Sequence, residues 1–206
     1  MLSNFKFHSA LESPIKNCPG LDCFNGTNGY SFVHNLCNGI PTQMHNADLL
    51  YAELPWKHGY DQFSKRSKVE NSLSHFDLLT KIGIEITNLK IPAVMVMGTH
   101  GSKHLKPNYT FPIKLSYANE SKCLACIWGI PNLASTFLTT VHENQVIERP
   151  TSSRLIEVLA QRFNLIGDFA CGYGNSGRIF VENGKKYIMS DSNNNCVGYI
   201  SQQKWA

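Results

Sequence analysis

An acid and a glycine-rich turn near the carboxyl end of the chain could together hold a cofactor. An apolar run ends in Asp168, glycines follow at positions 172, 174 and 177, and a second apolar run ends in Asp191. Glycine lets the backbone approach a ligand closely or adopt a positive φ. In nucleotide-binding α/β sheets such a turn faces the ligand, and the second acid accepts hydrogen bonds from ribose hydroxyls. A turn of purely steric function is the alternative, because short Gly-x-Gly turns also join strands to helices.

The segments around this turn have the order strand, turn, helix, strand. Residues 165–168 predict a buried strand, 179–184 a short helix closed by glycine, and 185–191 a second strand. Upstream, Thr151 to Ser153 cap a helix that runs to Phe163. The chain continues only to position 206, so any helix after the second strand is short.

A second candidate site follows residues 47–52, a short apolar run that suits a central strand. The chain then turns abruptly through an acid, a proline and an aromatic ring, because the next four residues are Glu53, Leu54, Pro55 and Trp56. Loops at the carboxyl ends of strands carry the chemistry in open α/β sheets. The sequence therefore predicts two sites at the same edge of one sheet.

These four residues resemble motif IV of the amino-methylating DNA methyltransferases, whose pattern is Asp/Asn/Ser-Pro-Pro followed by Tyr, Phe or Trp. Two of the four positions depart from it. Residues 147–150 (Ile-Glu-Arg-Pro), followed by Leu155 and Ile156, resemble the family's Lys-Pro-containing motif X, and residues 168–177 resemble its motif I. A catalytic motif that precedes the cofactor motif is the permuted, beta-class order. The chain is thus similar over most of its length to beta-class S-adenosylmethionine-dependent DNA amino-methyltransferases.

The resemblance implies how an exocyclic base amine is bound. Acceptors must hold the hydrogens of the amine while an aromatic face holds the flipped base. Glu53 and the carbonyl of Leu54, beside Pro55, are the expected acceptors, and Trp56 is the expected stacking face. Glu53 adds one methylene to the family's acid, and Leu54 frees a backbone that the family stiffens with proline. The site is either a reshaped working site or a decayed one.

The resemblance also implies that S-adenosylmethionine is held by the glycine turn, the second acid and the start of the helix at Thr151. The expected cofactor-binding residues are Asp168, Phe169, Cys171, Gly172, Gly174, Asp191, Ser152 and Ser153. Phe169 stands one position before the aromatic of the family pattern, so it points elsewhere unless the turn adjusts. Tyr173 stands where a small serine is usual.

Nucleic-acid contacts are expected in the loop after the first site, from Tyr60, Lys65, Arg66 and Lys68, because cations and aromatic rings can hold phosphates and an extruded base. A solvated charged loop is the alternative. His100, Lys103 and His104 follow the next predicted strand and either contact the target or form a surface loop. Little of the chain is left for target recognition. We therefore expect limited sequence specificity or a protein partner that supplies it.

Composition sets broad limits on the class of protein. The chain has 206 residues, 42% of them hydrophobic, and a formal charge of +4, which is compatible with a polyanionic partner. It lacks an 18-residue apolar run and a signal pattern, which predicts a cytoplasmic protein without a membrane segment; a phage-infected or mobile-element setting would suit it. Seven cysteines, an odd number, favour a reducing compartment. No metal is expected, because Cys18, Cys23, His34 and Cys37 match no compact zinc spacing, and the Cys123 and Cys126 pair is expected to be structural.

We predict a single three-layer Rossmann-like α/β methyltransferase domain with a mostly parallel sheet. Residues 1–46 form an irregular segment over the cofactor cleft, 47–145 the catalytic half and 146–206 the cofactor half, with an antiparallel hairpin between 123–128 and 136–141. The leading function is methylation of N6 of adenine in DNA. One alternative is an inactive methyltransferase-like protein that binds S-adenosylmethionine or nucleic acid. Another is an enzyme active on a modified base, RNA or a free nucleotide. The sequence leaves the oligomeric state open.

Overall fold

The computed structural model describes residues 23–54, 60, 62, 73–115, 123–141, 144–147 and 149–206. Ten strands lie in this part of the chain. They are β1 (Cys23–Asn25), β2 (Gly29–Val33), β3 (Leu49–Glu53), β4 (Ala93–Gly98), β5 (Tyr109–Ile113), β6 (Cys123–Trp128), β7 (Leu138–Val141), β8 (Asn144–Ile147), β9 (Leu165–Asp168) and β10 (Lys186–Asp191).

Five α-helices and three short 3-10 segments accompany the strands in the described part. The helices are α1 (His75–Leu89), α2 (Thr99–Leu105), α3 (Ser152–Arg162), α4 (Asn175–Glu182) and α5 (Asn194–Ser201). The 3-10 segments are Leu36–Asn38, Thr42–Asn46 and Ala134–Phe137. None of the described helices is long and apolar enough to cross a membrane.

Eight of the strands form one sheet in the order β1-β2-β10-β9-β3-β4-β6-β5, and β7 pairs with β8 separately. The five central strands, β2, β10, β9, β3 and β4, are parallel to one another. The strands β1, β6 and β5 run antiparallel at the edges. The predicted fold class, a three-layer α/β fold with a mostly parallel sheet, is confirmed.

Both faces of the central strands are buried, which explains their continuous apolar runs. Leu49 and Tyr51 of β3 face one core, which includes residues of α3 and α4, whereas Leu50 and Ala52 face a second core under α1. Side chains alternate between the two faces of a strand. The helix-capping prediction for α3 is confirmed, because the Thr151 hydroxyl accepts a hydrogen bond from the Arg154 amide at 3.1 Å.

The amino-terminal part is more regular than the sequence predicted. β1 and β2 belong to the main sheet, and β2 pairs in parallel with β10. The 3-10 segments that follow pack on the α1 face, where Met44 and Ile40 join the core and Glu85 of α1 accepts the Ile40 amide at 2.6 Å. The interpretation of residues 1–46 as an irregular cover over the cofactor cleft is therefore wrong for residues 23–46. Residues 1–22 lie outside the described part.

The predicted hairpin between 123–128 and 136–141 is also wrong. β6 lies between β4 and β5 and is antiparallel to both, while β7 pairs with β8. The loop after β6 is held against β5 instead, because the Tyr109 hydroxyl donates to the Ile130 carbonyl at 2.7 Å and accepts the Leu133 amide at 3.0 Å. Cys123 and Cys126 face the two different cores, so they do not form a redox or metal pair.

Close packing of α1 against the end of α2 requires a glycine. A Cβ at Gly83 would lie 2.4 Å from the Leu105 carbonyl oxygen, a backbone atom that cannot rotate away. We expect Gly83→Ala to lower the free energy of unfolding by about 1–3 kcal/mol, as overpacking usually does. Gly198→Ala in α5 is the control, because nothing lies within 4 Å of its Cβ position. Urea unfolding of both variants tests this, and equal stabilities would contradict the packing.

Candidate active site

A cavity of about 490 Å³ opens at the carboxyl ends of β3 and β9, a volume within the roughly 300–1,000 Å³ of small-molecule sites. The sequence predicted six of its lining residues: Glu53, Ser152, Ser153, Asp168, Cys171 and Gly172. Six others were not among the predicted site residues: Tyr51, Ile156, Ala170, Tyr173, Asn175 and Ser176. Of the twelve, only Glu53 and Asp168 carry carboxyl groups, and none is a Lys, Arg or His.

The cavity lies where the chain changes sides of the sheet. From β9 the chain passes through α4 to β10, whereas from β3 it passes through α1 to β4 on the other side of β3. The two neighbouring strands β9 and β3 therefore send their next helices to opposite faces. Ligands of open α/β sheets bind in the crevice at such a switch point.

Asp168 ends β9 and is 2% exposed. One carboxylate oxygen accepts a hydrogen bond from the Ser176 hydroxyl, and the other accepts the Ala170 amide at 3.1 Å. Burial raises the pKa of Asp168 to about 7; the two hydrogen bonds oppose the shift, and the charges of Glu53 and Asp191 add to it. The cavity thus contains a carboxyl group that exchanges its proton near neutral pH.

The glycine turn presents backbone to the cavity at Gly172. Its φ is +49°, and nothing lies within 4 Å of the position where a Cβ would stand. A side chain there would be strained and would occupy space that a ligand can use. The turn is fixed to β10, because the Cys171 amide donates to the Ser190 carbonyl at 3.1 Å.

Asp191 holds this turn and is not among the residues that line the cavity. One carboxylate oxygen accepts the Gly172 amide at 2.8 Å and the other accepts the Asn193 amide at 2.9 Å. Burial raises the pKa of Asp191, although these amide hydrogen bonds oppose the shift. The structure therefore gives the second acid a role in fixing the turn, and its contact with a ribose stays a prediction.

Glu53 ends β3 and reaches the same cavity as Asp168. Its Oε1 accepts a hydrogen bond from the Tyr51 hydroxyl at 2.5 Å. The side chain of the next residue, Leu54, is 5% exposed and packs in the core under α1. The side chain of Leu54 therefore does not line the cavity, and the role of its backbone carbonyl stays a prediction.

The start of α3 forms another wall of the cavity. Ser152 and Ser153 line it together with Ile156, one turn further along the helix. The Ser152 amide donates to the Lys114 carbonyl at 2.8 Å, which ties the helix start to the strand region after β5. The first amides of a helix carry a partial positive charge that favours a carboxylate. Acidic side chains thus line the cavity where β3 and β9 end, and the start of α3 lines a different side.

Three predicted site residues lie elsewhere. Phe169 is 2% exposed and packs in the core under α1, because it follows Asp168 and points to the opposite face. Ala170 lines the cavity in its place. A Cβ at Gly174 would meet Ile200 and Trp205 at 2.9 Å, so this glycine permits close packing near the carboxyl terminus, and it is not among the residues that line the cavity.

Tyr60 is the third. It is 8% exposed, its ring packs on His75, and its hydroxyl donates to the Leu73 carbonyl at 3.1 Å. The interpretation of Tyr60 as a nucleic-acid contact is therefore wrong, since the ring belongs to the core. The predicted residues Pro55, Trp56, Lys65, Arg66 and Lys68 lie outside the described part of the chain.

The residues that the sequence did not assign are short-range neighbours of those that it did. Tyr51 shares a strand face with Glu53 at i, i+2 spacing, and Ser176 lies within the motif that contains Asp168. Alternation along β3 could have indicated Tyr51.

Cys171 lines the cavity as a thiol, because burial, followed by the charges of Asp191 and Asp168, raises its pKa well above the ordinary value. Among the described residues, no group of three or more His, Cys, Asp or Glu could hold a metal.

Asp168 predicts a specific pH dependence of stability. Its pKa is about 7 in the folded chain, against an ordinary value of 3.8, so the folded state binds the proton more tightly. The contribution of Asp168 to the free energy of unfolding is therefore complete below about pH 4 and is lost as the pH rises through about 7. We expect Asp168→Asn to flatten this decline, because the amide cannot ionise. Thermal unfolding of both proteins across this range is the measurement, with Glu182→Gln, an exposed helix acid, as the control. Parallel curves for wild type and Asp168→Asn would contradict the buried ionisation.

No protein-family model matches the chain, and no curated protein sequence does so. Several solved structures are similar at low identity. The crystal structure of M1.HpyAVI aligns with a TM-score of 0.49 and 9% identity, covering 84% of this chain and 96% of that chain.

Two further structures align over most of their length. The putative DNA modification methylase TTHA0409 from Thermus thermophilus, complexed with S-adenosyl-L-methionine, has a TM-score of 0.46 and 11% identity, covering 80% of this chain and 87% of that chain. The cytosine-N4-specific PvuII DNA methyltransferase has a TM-score of 0.46 and 10% identity, covering 87% of this chain and 88% of that chain.

Proposed function

We propose that this protein is an S-adenosylmethionine-dependent methyltransferase that acts on an exocyclic base amine in DNA, with N6 of adenine as the preferred target. One observation carries the proposal. Three segments that resemble methyltransferase motifs line a single cavity: Glu53 in one half of the chain, and the start of α3 at Ser152 and the turn from Asp168 to Gly172 in the other half. Each resemblance is modest by itself, and their convergence on one cavity supports the proposal.

The cavity has the chemical features that S-adenosylmethionine requires. Gly172 offers open backbone for close approach of the ligand, and Asp168 is a buried acid for the ammonium group. The start of α3 at Ser152 and Ser153 is suited to the carboxylate of the amino-acid end. When bound, the cofactor supplies an electrophilic methyl group on a sulfonium. Asp191 contributes indirectly, by holding the amide of Gly172.

The charge of the cavity also favours this cofactor over a free nucleotide. The two lining residues with carboxyl groups are Glu53 and Asp168, and no Lys, Arg or His is among the described lining residues. Acids stabilise the positive sulfonium and ammonium groups and repel a phosphate at the same distance. A phosphate-bearing acceptor would therefore place only its base near the cavity.

The target amine is assigned to the Glu53 end of the cavity. The Glu53 carboxylate and the Leu54 carbonyl accept hydrogen bonds from the amine, which aligns the nitrogen lone pair with the methyl group. Pro55 and Trp56 complete the segment, with Trp56 as the face on which the extruded base stacks. The acid at position 53 is the reason for preferring adenine, because serine is common there in the cytosine enzymes.

The first test is whether the protein binds the cofactor and then transfers its methyl group. We expect saturable one-site binding of S-adenosylmethionine by titration calorimetry, and transfer of labelled methyl to DNA. Glu53→Ala is expected to abolish transfer and to preserve cofactor binding, because Glu53 is assigned to the amine whereas Asp168, Gly172 and the start of α3 are assigned to the cofactor. Glu182→Gln, on the exposed side of α4, is the control and should match wild type in both measurements.

The outcomes separate the alternatives. Binding of the cofactor without transfer to DNA, RNA or nucleotides would favour the inactive binding protein. Transfer to RNA or to a modified base and not to DNA would favour a different acceptor. Retained transfer in Glu53→Ala would remove Glu53 from the mechanism, and the absence of any binding would reject the proposed cofactor.

The nucleic-acid surface is assigned to α2, which begins directly after β4, the neighbour of β3. Lys103 and Lys106 are exposed, and neither forms an ion pair within the described residues. We expect Lys103→Glu combined with Lys106→Glu to weaken duplex DNA binding by about tenfold or more and to reduce its salt dependence, because fewer phosphate counterions are released.

Fluorescence anisotropy at several salt concentrations measures both effects. The control is Lys185→Glu combined with Lys186→Glu, which makes the same change of charge at two partly exposed lysines where β10 begins, at the other end of the strands. Equal losses in both proteins would indicate a general charge effect and would refute α2 as the DNA surface.

A further inference from the structure

Tyr51 and Glu53 are joined by a short hydrogen bond inside the cavity. The Tyr51 hydroxyl donates to Glu53 Oε1 at 2.5 Å, a length typical of strong hydrogen bonds from a hydroxyl to a charged oxygen. The two residues stand at i, i+2 on one strand, so they share a face of the sheet. Both line the cavity.

Tyr51 is a rigidly held donor. It is 1% exposed, and its strand position is paired with Asp168 of β9 on one side and Val94 of β4 on the other. Its carbonyl accepts the amide of Phe169 at 3.2 Å, which connects it to the glycine turn. A ring packed in this way cannot follow Glu53 if the carboxylate moves.

Glu53 needs such a partner because of its length. A glutamate has one more rotatable bond than an aspartate, and Glu53 is only partly buried. Free rotation would spread its oxygens over more than the roughly 0.5 Å that a reactive constellation tolerates. A hydrogen bond from a fixed hydroxyl removes this freedom. It also engages Oε1 and so leaves Oε2 as the oxygen available to an amine.

We propose that Tyr51 is the positioning residue for Glu53, and that the tyrosine and the glutamate replace the shorter acid and stiff backbone of the usual amine site as one unit. This inference rests on the proposed function. It adds a residue outside the motif, which explains how the altered sequence can form a working site. It also implies that the acid cannot be shortened, because Glu53→Asp would withdraw the carboxylate from the Tyr51 hydroxyl.

The test begins with Tyr51→Phe, which keeps the buried ring and removes the hydroxyl. We expect kcat for methyl transfer to fall by about 10- to 100-fold, as small displacements of a reactive group do. The KM values for S-adenosylmethionine and DNA are expected to change less than about twofold. Tyr109→Phe is the matched control, because it also removes a hydrogen-bonded tyrosine hydroxyl. The Tyr109 hydroxyl has two partners, at the loop after β6, and Tyr109 does not line the cavity. This control variant should lower stability and leave kcat unchanged.

The double variant Tyr51→Phe with Glu53→Asp distinguishes positioning from a structural role. We expect each single change to lower kcat and the double change to be no worse than the more damaging single one, because both break the same contact. Multiplied losses, or a kcat of Tyr51→Phe equal to that of wild type, would overturn the positioning role while leaving the proposed function intact. A folded wild-type protein that transfers no methyl group to any nucleic acid would overturn both.

Urea unfolding of Tyr51→Phe, Glu53→Met and their double variant tests the contact without reference to activity, because methionine keeps the length of the side chain and removes the accepting oxygens. We expect the midpoint of the double variant to lie close to that of the less stable single variant, because one hydrogen bond is lost in all three. Fully additive shifts of the midpoint would show that the Tyr51 hydroxyl does not hold Glu53, and would overturn the inference.

Discussion

The parallel pairing of β3 with β9 is the constraint on which the site depends. The register sets Tyr51 opposite Asp168 and so brings the ends of the two strands to one edge of the sheet. Because side chains alternate along a strand, a slip of one residue would turn Tyr51 and Glu53 into the core under α1. Close packing beside this pair of strands favours a glycine at position 167, because a Cβ there would stand only 3.1 Å from that of Ala47. The residues that meet in the cavity are separated by about half of the chain.

The site buries two acids, and burial opposes their ionisation. Asp168 and Asp191 are both almost fully buried, and burial raises the pKa of each. Each is held by hydrogen bonds from groups of the glycine turn and its neighbours: the amides of Ala170, Gly172 and Asn193 and the hydroxyl of Ser176. These groups fix the shape of the turn. The unfavourable burial of charge is common at functional sites, where a bound cation can compensate for it.

Much of the site could be predicted from local patterns. An acid followed by glycines after an apolar run identified Asp168 and Gly172, and the resemblance to the methyltransferase motifs added Cys171, Ser152 and Ser153, all of which line the cavity. The errors concern residues whose role depends on distant partners. Tyr60 is an aromatic residue close to several cations in the sequence, which suggested a nucleic-acid contact, but its ring packs on His75. Asp191 ends its strand as predicted; only the fold shows that its carboxylate holds the Gly172 amide, and its contact with a ribose stays a prediction.

The sequence by itself determined the elements and the chemistry available to them. Continuous apolar runs indicated buried parallel strands, the Thr151 cap located α3, and the glycines located the turn, because each of these signals depends only on neighbouring residues. Only the tertiary structure decided which strands pair, which face each residue occupies and which acids share a cavity. Strand order and register are set by packing between segments that are distant in sequence, which no local pattern records. For that reason the sequence indicates only that Tyr51 belongs to an apolar strand, and its contact with Glu53 is visible only in the fold.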